Sequence, residues 1–587
     1  MVGFFSMGYS YLMNGSVRAA KVVRVRPSGL IRALALTIAG LAAASCASTP
    51  SPIVALPVQQ QAPAPSTQAS LKTILMSQAQ PDVLAFYQAR DFRPAWTNEK
   101  DVADIHAVFG RASEHGLRNA DYSLPRDASL RPGADAARYE IAVTTAVFRY
   151  VRDVHTGRFK PAEIHPDVLL PAVSFDAAWY LNQAVDSGSF GTYLAELPPS
   201  HPEYQRLVKA LARYRAIAEE GGWPSVPGTT EIRLDRNDER LAALVKRLTF
   251  EDPILDGKAK PTRNDIRDAV QRFQARHGLD DDGRAGPETI GVLNIPAPVR
   301  VEQIAANMER WRWLPPQFES RYVAVNVPDQ SLQYIRDGKP VLTSKVVVGR
   351  KTSATPIIRT EMKTVVVNPP WNIPGDIAAR DLLPKLKRNA NYLATRNMVV
   401  MDGPRGDPTG RTIKWRNIKP AEFPYAIRQL PGPATALGAV MLDMPNDFDV
   451  YLHDTPNKKL FDLTTREISN GCVRVQQIFP LASLALTDDA EDGMKMLNDA
   501  RRTRKTQRID LEKPVPVYFV YWTAMADEEG NVSFRPDRYG RDTTLIAAFA
   551  NGKPAGTPVK TLDTDPGEEL NPIGEMPDQD DDADLAP

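Results

Sequence analysis

The sequence predicts a multidomain α+β protein: a β-rich domain with a helical insert over residues 321–545, preceded by a mainly α-helical region and a small helical module. Three observations lead there. The chain has 587 residues, more than one hydrophobic core encloses, so several domains are expected. Residues 71–229 carry apolar residues at helical spacing, as in AARYEIAVTTAVFRYVRDVHTGR, which holds Ile141, Phe148 and Val151; Pro-rich breaks at 197–202 and 224–227 interrupt the pattern. After residue 320 come short alternating or β-branched runs, RYVAVNV, KVVVG, KTVVVNP, FDVYLH and VPVYFVYW, separated by Pro and Gly clusters.

A hydrophobic content of 43% and a charged content of 24% are ordinary for a soluble globular chain. The formal net charge of +1 gives no basic field of the kind that draws nucleic acid. The N-terminus departs from this average. Residues 1–46 carry Arg18, Lys21, Arg24, Arg26 and Arg32 and no acid, and run into the small apolar stretch ALALTIAGLAAAS. That is the pattern of a secretory signal, and the apolar run is too short for a membrane-spanning helix. The length of the basic region makes Met7 and Met13 alternative starts. Two processing routes stand open. LAAASCAS resembles a lipoprotein box that would make Cys46 a lipid-anchored residue, and ordinary cleavage near Ala44 or Ala47 would remove Cys46. Residues 47–70, rich in Pro, Gln, Ser and Ala, read as a flexible linker. Residues 561–587 hold ten acids and no base, and read as a disordered acidic tail.

Residues 230–297 form a compact unit. Leu241, Leu244, Val245 and Leu248 suit one helix face, and Ile266, Val270 and Phe273 another. GLDDDGRAGPETIGVLN then supplies a Gly-rich turn and a short helix. DDDG is not a calcium loop, because the twelfth position from Asp280 is Gly291 where such a loop places Glu. The segment resembles the small peptidoglycan-binding module through Phe273, Gln274, His277, Gly278, Leu279, Asp282, Gly283, Gly286, Thr289, Leu293 and Asn294. Two readings follow from that resemblance, a glycan-binding module and a structural domain without glycan affinity.

The chemistry is carried by two short segments. On an extended FDVYLHDTP, Asp449, Tyr451 and His453 share one face, while Phe448, Val450 and Leu452 share the other. In ISNGCVRV, Val473 and Val475 turn inward, and Cys472 shares the opposite face with Arg474. Gly471 before the thiol permits a positive φ or a close backbone approach. The chain contains only two cysteines, Cys46 and Cys472, so the exported body holds one thiol and no internal disulfide. From residue 301 onward there is one Cys and one His. A thiol is a weak nucleophile until a neighbouring base takes its proton, and His453 is the only imidazole in this domain able to do so. The polar and partly cationic setting of Cys472 favours thiolate and exposure. The pattern points to acyl transfer through a thioester, with backbone N–H groups around Gly471 and Cys472 as oxyanion donors. No Ser-x-x-Lys is present for serine D,D-transpeptidase chemistry, and a single His argues against a catalytic zinc. No cofactor is expected.

HDTP followed by SNGCVRV resembles the L,D-transpeptidase signature, His…Ser/Thr-x-Gly-Cys-x-Arg/Asn. NMERWRWLP at 307–315, VVVGRKTSATP at 346–356, NPPWNIP at 368–374, LLPKL at 382–386 and VPVYFVYWTA at 515–524 extend the likeness to the large multidomain branch of that family. The resemblance implies a helical scaffold over 71–229, a peptidoglycan-binding module over 230–297, and a catalytic domain over 321–545 whose insert at 375–437 caps the cleft. It implies that Cys472 attacks the L-centre carbonyl of diaminopimelate in a tetrapeptide stem, expels D-Ala, and passes the acyl group to a diaminopimelate amine, giving a 3→3 cross-link. Water as acceptor would make a carboxypeptidase or endopeptidase, and a non-catalytic wall-binding protein is the alternative from another class. The resemblance also implies periplasmic location, peptidoglycan stems and glycan as partners, and acylation by carbapenems. Tyr451, Ser469, Arg474 and Trp371 are candidate substrate contacts. The family's third catalytic element is a backbone carbonyl near the His, and Asp454 is the candidate side chain.

Overall fold

The computed structural model describes residues 66–77, 80–125 and 133–552. The signal region with Cys46, most of the predicted linker and the acidic tail lie outside them. The linker expected to run to residue 70 ends earlier, because a helix begins at Thr67. Leu71 and Leu75 are buried in the helical core, which is reason enough for the chain to order there.

The first core is helical. Helices Pro81–Ala89, Glu99–Gly110, Ala134–His155, Ala177–Asp186 and Phe190–Glu196 bury Phe86, Tyr87, Trp96, Ile105, Phe148, Val151 and Phe190 among themselves. One buried acid organises it. Glu140 accepts hydrogen bonds from the Tyr87 hydroxyl (2.8 Å) and from the N–H groups of Ala95 (2.9 Å) and Trp96 (3.1 Å), so a polar group in an apolar interior is satisfied. Among the described residues no helix is long and apolar enough to cross a membrane.

The second core is the small module. Helices Leu241–Thr249, Arg263–His277 and Pro287–Leu293 pack Leu244, Leu248, Val270, Phe273, Ile290 and Leu293 together. Thr262 and Asp265 cap the middle helix reciprocally. The signature residues of this unit are largely internal. The Gln274 amide nitrogen donates to Asp282 Oδ1 (2.9 Å), Arg284 O (3.0 Å) and Thr289 Oγ1 (3.1 Å), and its oxygen accepts from the Gly283 N–H (2.8 Å). His277 is buried against Phe273 and against Phe534 of the following domain, with ring centroids 3.9 and 5.7 Å apart.

The third unit is β-rich. Its strands are β2 (Arg321–Asn326), β3 (Ser331–Arg336), β4 (Lys339–Gly349), β5 (Ile357–Val367), β6 (Trp371–Ile373), β7 (Met398–Val400) and β8 (Ile427–Gln429). They continue with β9 (Val440–Asp443), β10 (Leu452–His453), β11 (Glu467–Ser469), β12 (Val473–Val475), β13 (Gln507–Val520), β14 (Ala524–Ala526) and β15 (Val532–Phe534). A short β1 (Val168–Leu169) from the helical region adds to β5 in parallel. The main sheet runs β1-β5-β13-β2-β3-β4-β12-β10-β9, and β9 also pairs with β5, so the hydrogen-bonded circuit closes on itself. Its interior buries Val323, Val325, Val346, Val348, Val365, Val367, Leu452, Val473, Val475, Val517 and Phe519. This inward alternation is the one read from the sequence.

A strut joins the units. Helix Ala297–Arg312 packs between helix Pro202–Glu219 and the β13–β15 region. Glu309 accepts from the N–H groups of Arg158 (2.6 Å) and Phe159 (3.0 Å) and pairs with the fully buried Arg312 (2.8 Å). Arg312 also donates to the Tyr204 hydroxyl (3.0 Å), and Arg310 pairs with Asp542 at 2.5 Å. The NMERWRWLP segment is thus a joint whose charges are buried in pairs.

The insert, residues 375–437, has its own core of Ile377, Leu382, Leu383, Leu386, Leu393, Trp415 and Ile427, closed by the β6-β8-β7 sheet. Trp371, Met441 and Tyr451 of the surrounding domain pack into that core.

Candidate active site

The site is built on two adjacent parallel strands. β10 pairs with β12 so that Leu452 faces Val473 and His453 faces Arg474. The Val473 N–H donates to Tyr451 O at 3.1 Å. Continuing that register places Tyr451 beside Cys472. Leu452, Val473 and Val475 enter the core, so alternation puts Tyr451, His453, Cys472 and Arg474 together on the opposite face. The backbone N–H and the hydroxyl of Tyr451 both lie near the Cys472 sulfur and favour its charged form. Trp371 and Tyr451 both pack into the core of the insert. The rings of Tyr451 and His453 meet edge to face, 5.8 Å apart.

The strand before His453 is shorter than expected. Asp449 has φ +52°, so the alternation through Phe448 and Asp449 breaks, and Phe448 is exposed rather than inward. Asn446 enforces the turn. Its Oδ1 accepts from the N–H groups of Phe448 (3.0 Å) and Val450 (3.3 Å), and its amide nitrogen donates to Met444 O (2.7 Å) and Val450 O (2.8 Å). The consequence falls on Cys472, whose thiol donates to Asp449 O at 3.6 Å.

The turn before Cys472 is equally specified. Gly471 has φ +113°, a conformation open to glycine and strained for other residues. The Ser469 hydroxyl accepts from the Gly471 N–H (3.2 Å) and donates to Cys472 O (2.6 Å). The Gly471 N–H, expected among the oxyanion donors, is therefore engaged within the turn. Thr355 donates to Gly471 O (2.8 Å) and accepts from the Gly349 N–H (2.9 Å), tying the SNGC turn to the TSATP segment. Ser469 is buried and holds the turn rather than facing open solvent.

Burial sets the electrostatics. His453 is almost fully buried, and its imidazole is pushed down to about 3, first by burial and then by the neighbouring Arg474 charge. The carbonyl oxygens of Asp454 and Leu437 oppose this shift; Nδ1 lies 2.6 Å from Asp454 O. Cys472 is half-buried, and desolvation raises its thiol above the ordinary range despite the Tyr451 donors and Arg474. The expectation that this setting favours thiolate is thereby corrected, because loss of water outweighs the cationic neighbour. Arg474 is itself buried and lowered to about 10. The Asp454 side chain does not serve His453. It accepts from the Ala439 N–H (2.9 Å) and pairs with Lys458, while its main-chain carbonyl meets the imidazole.

The insert reaches this site directly. Its last residue, Leu437, presents a carbonyl to His453. Gly438 lies so close to Asp454 that a Cβ there would meet the Asp454 Cβ at 2.4 Å. Arg380 donates to Asn470 Oδ1 at 3.0 Å. The sequence reading named Cys472, His453, Tyr451, Arg474, Ser469, Gly471 and Trp371, and the structure gathers all seven. It passed over Thr355, Asn446, Leu437 and Gly438, which act through turns and main-chain atoms; only Thr355, in TSATP, and Leu437, at the end of the insert, lay in segments that the sequence had singled out.

With that geometry in place, the family comparisons are specific. Residues 320–500 match the L,D-transpeptidase catalytic domain, residues 252–293 a family described as an inferred peptidoglycan binding domain, and residues 81–211 a scaffold domain. Residues 320–500 are thus similar to the catalytic domain of the L,D-transpeptidases. Among curated proteins it is similar to one from Haemophilus influenzae whose name gives L,D-transpeptidase as its inferred activity, 37% identical over 250 residues. That match takes in 43% of this chain and 50% of the relative, so the chain spans about half the length of the curated relative it matches. A solved structure titled "Structure of the Ldtfm-avibactam carbamoyl enzyme" aligns with 14% identity and a TM-score of 0.18, over 45% of this chain and 83% of that one; a likeness at that level carries no argument.

Proposed function

We propose that this protein is an exported, periplasmic L,D-transpeptidase that forms 3→3 peptidoglycan cross-links. The observation that carries the reading is the Tyr451–His453–Cys472–Arg474 face on two adjacent parallel strands, within a catalytic domain of that family. In this reading His453 takes the thiol proton, and the sulfur forms a bond to the L-centre carbonyl carbon of diaminopimelate. The Cys472 N–H donates to the developing oxyanion, since the Gly471 N–H is held by Ser469. The C–N bond to D-Ala breaks, the leaving amine takes the proton from His453, and a thioester remains. A diaminopimelate amine of a second stem then attacks the thioester carbon, gives its proton to His453, and the thiol is restored. The carbonyls of Asp454 and Leu437 support the transient imidazolium. The small module and the scaffold hold this site against the wall, with stems and glycan as partners.

The test is muropeptide analysis after incubation with tetrapeptide-bearing peptidoglycan. Wild type is expected to give 3→3 dimers and free D-Ala, and Cys472→Ala neither. Tripeptides without dimers would assign a carboxypeptidase instead. A wild type that forms no mass adduct with a carbapenem, or a Cys472→Ala variant that forms the same one, would remove the thiol from the chemistry and leave a non-catalytic wall-binding protein.

A further inference from the structure

Two arginines from different parts of the domain meet at Asn470. Arg350 directly follows β4 of the closed sheet, and its guanidinium donates to Asn470 Oδ1. Arg380 comes from the insert and donates to the same oxygen at 3.0 Å. Arg380 also holds a bidentate pair with Asp381, at 2.8 and 2.9 Å. Two guanidiniums thus share one neutral amide oxygen, while the carboxylates that act on them, Asp381 and Asp376, lie on the Arg380 side. Arg350 Nε is buried without a hydrogen-bond partner. Burial and the Arg380 charge both lower the pKa of Arg350. An amide oxygen is a weaker acceptor for guanidinium than a carboxylate, which forms bonds roughly twice as strong.

The cluster is tied to the nucleophile's turn. The Arg350 N–H donates to Ser469 O at 3.0 Å, and the Ser469 hydroxyl donates to Cys472 O. Asn470 lies two residues before Cys472.

We propose that Arg350 and Arg380 form a clamp for a carboxylate of the donor stem peptide beside Cys472, with the Asn470 amide oxygen holding both guanidiniums in place until the ligand arrives. This assignment rests on the stem-peptide reading above. Because one arginine belongs to the closed sheet and the other to the insert, the bound carboxylate also ties the insert across the cleft. A tetrapeptide stem offers two carboxylates, that of the diaminopimelate D-centre and that of the terminal D-Ala. Both present the same chemistry to the clamp.

The experiment is calorimetric binding of a free tetrapeptide stem to the full chain carrying Cys472→Ala, so that no turnover intervenes. Three stems are compared: the free acid, one amidated at the D-centre, and one ending in D-alaninamide. Amidation of the clamped carboxylate is expected to weaken binding about tenfold or more, the scale of one hydrogen bond to a charged group. Arg350→Gln and Arg380→Gln are expected to give similar losses on the free acid and no further loss on the amidated stem that the clamp reads. Arg350→Lys and Arg380→Lys keep the charge without the planar fork and fall between. Iodoacetamide labelling of Cys472 in the otherwise wild-type chain, with either Gln variant added, checks that the site is intact. Equal binding of all three stems, unchanged binding by both Gln variants, or no binding of the free acid would overturn the clamp. A chain that binds the free acid through the arginines but releases no D-Ala would refute the transfer reading and leave the clamp standing.

Discussion

Tyr451 and Cys472 each directly precede one of two adjacent parallel strands, and the N–H and hydroxyl of Tyr451 both lie near the sulfur. Trp371, at the base of the insert, packs into the same core as this tyrosine. The thiol is therefore positioned by a residue whose ring packs into the insert core. Tyr451→Phe removes the O–H donor and leaves the packing. Its expected effect is a fall of about 10- to 100-fold in carbapenem acylation rate, the range of a lost positioned donor, with no loss of thermal stability greater than about 1 kcal/mol. Mass-resolved acylation kinetics and a melting curve measure the two, and an unchanged rate would assign Tyr451 to packing alone.

The pH dependence follows from two opposed shifts. His453 is lowered to about 3, chiefly by burial, so it is neutral throughout the physiological range. Cys472 is raised, also chiefly by burial, so it is a neutral thiol there. A resting thiolate–imidazolium pair would require both shifts to be reversed. Iodoacetamide labelling of Cys472 should rise steeply with pH, by up to about tenfold per unit from pH 7 to 9, as for a thiol held neutral by burial. A flat rate across neutral pH would establish the ion pair and contradict this assignment.

Glycine positions separate two physical costs. Gly471 has φ +113°, and a Cβ there would meet nothing nearer than 3.8 Å. Gly471→Ala is expected to fold with a strain of about 1–3 kcal/mol and to displace Cys472. Gly438→Ala faces a direct clash, with a Cβ 2.4 Å from that of Asp454, whose carbonyl bonds His453. It should lose both stability and acylation, and more stability than Gly471→Ala. Melting curves of the two variants check the order.

Much of the site was legible in the sequence because strand alternation is a short-range rule. Val473 and Val475 inward, with Cys472 and Arg474 opposite, needed only period two. The parts that were not legible depend on the main chain. A left-handed Asp449 broke the strand at a residue that sequence periodicity treats like any other. The contact to His453 comes from the Asp454 carbonyl, which every residue possesses, so the eye goes to the carboxylate instead. Burial was the other gap: the positive charge of Arg474 was visible, but the desolvation that outweighs it was not. In the small module the reverse holds. Gln274 stands out as part of a signature, and its four hydrogen bonds show that the signature specifies the fold of the turn.

His277, from the same signature, makes the fold acid-sensitive. It is stacked between Phe273 and Phe534, its Nδ1 lies 2.8 Å from Phe273 O, and burial lowers its pKa to about 3, with Glu251 opposing the shift. A folded-state pKa below the unfolded one means that the unfolded chain binds the proton first. The contribution to stability is complete above about pH 6.5 and is lost as pH falls toward about 3. At pH 4.5 this one residue should cost about 2–3 kcal/mol relative to pH 7, and His453 acts in the same direction. His277→Phe removes the titration at the price of a hydrogen bond. It should melt lower than wild type at pH 7 yet lose less on going to pH 4.5. Equal losses in the two proteins would mean that His277 does not couple the docking of the module to pH.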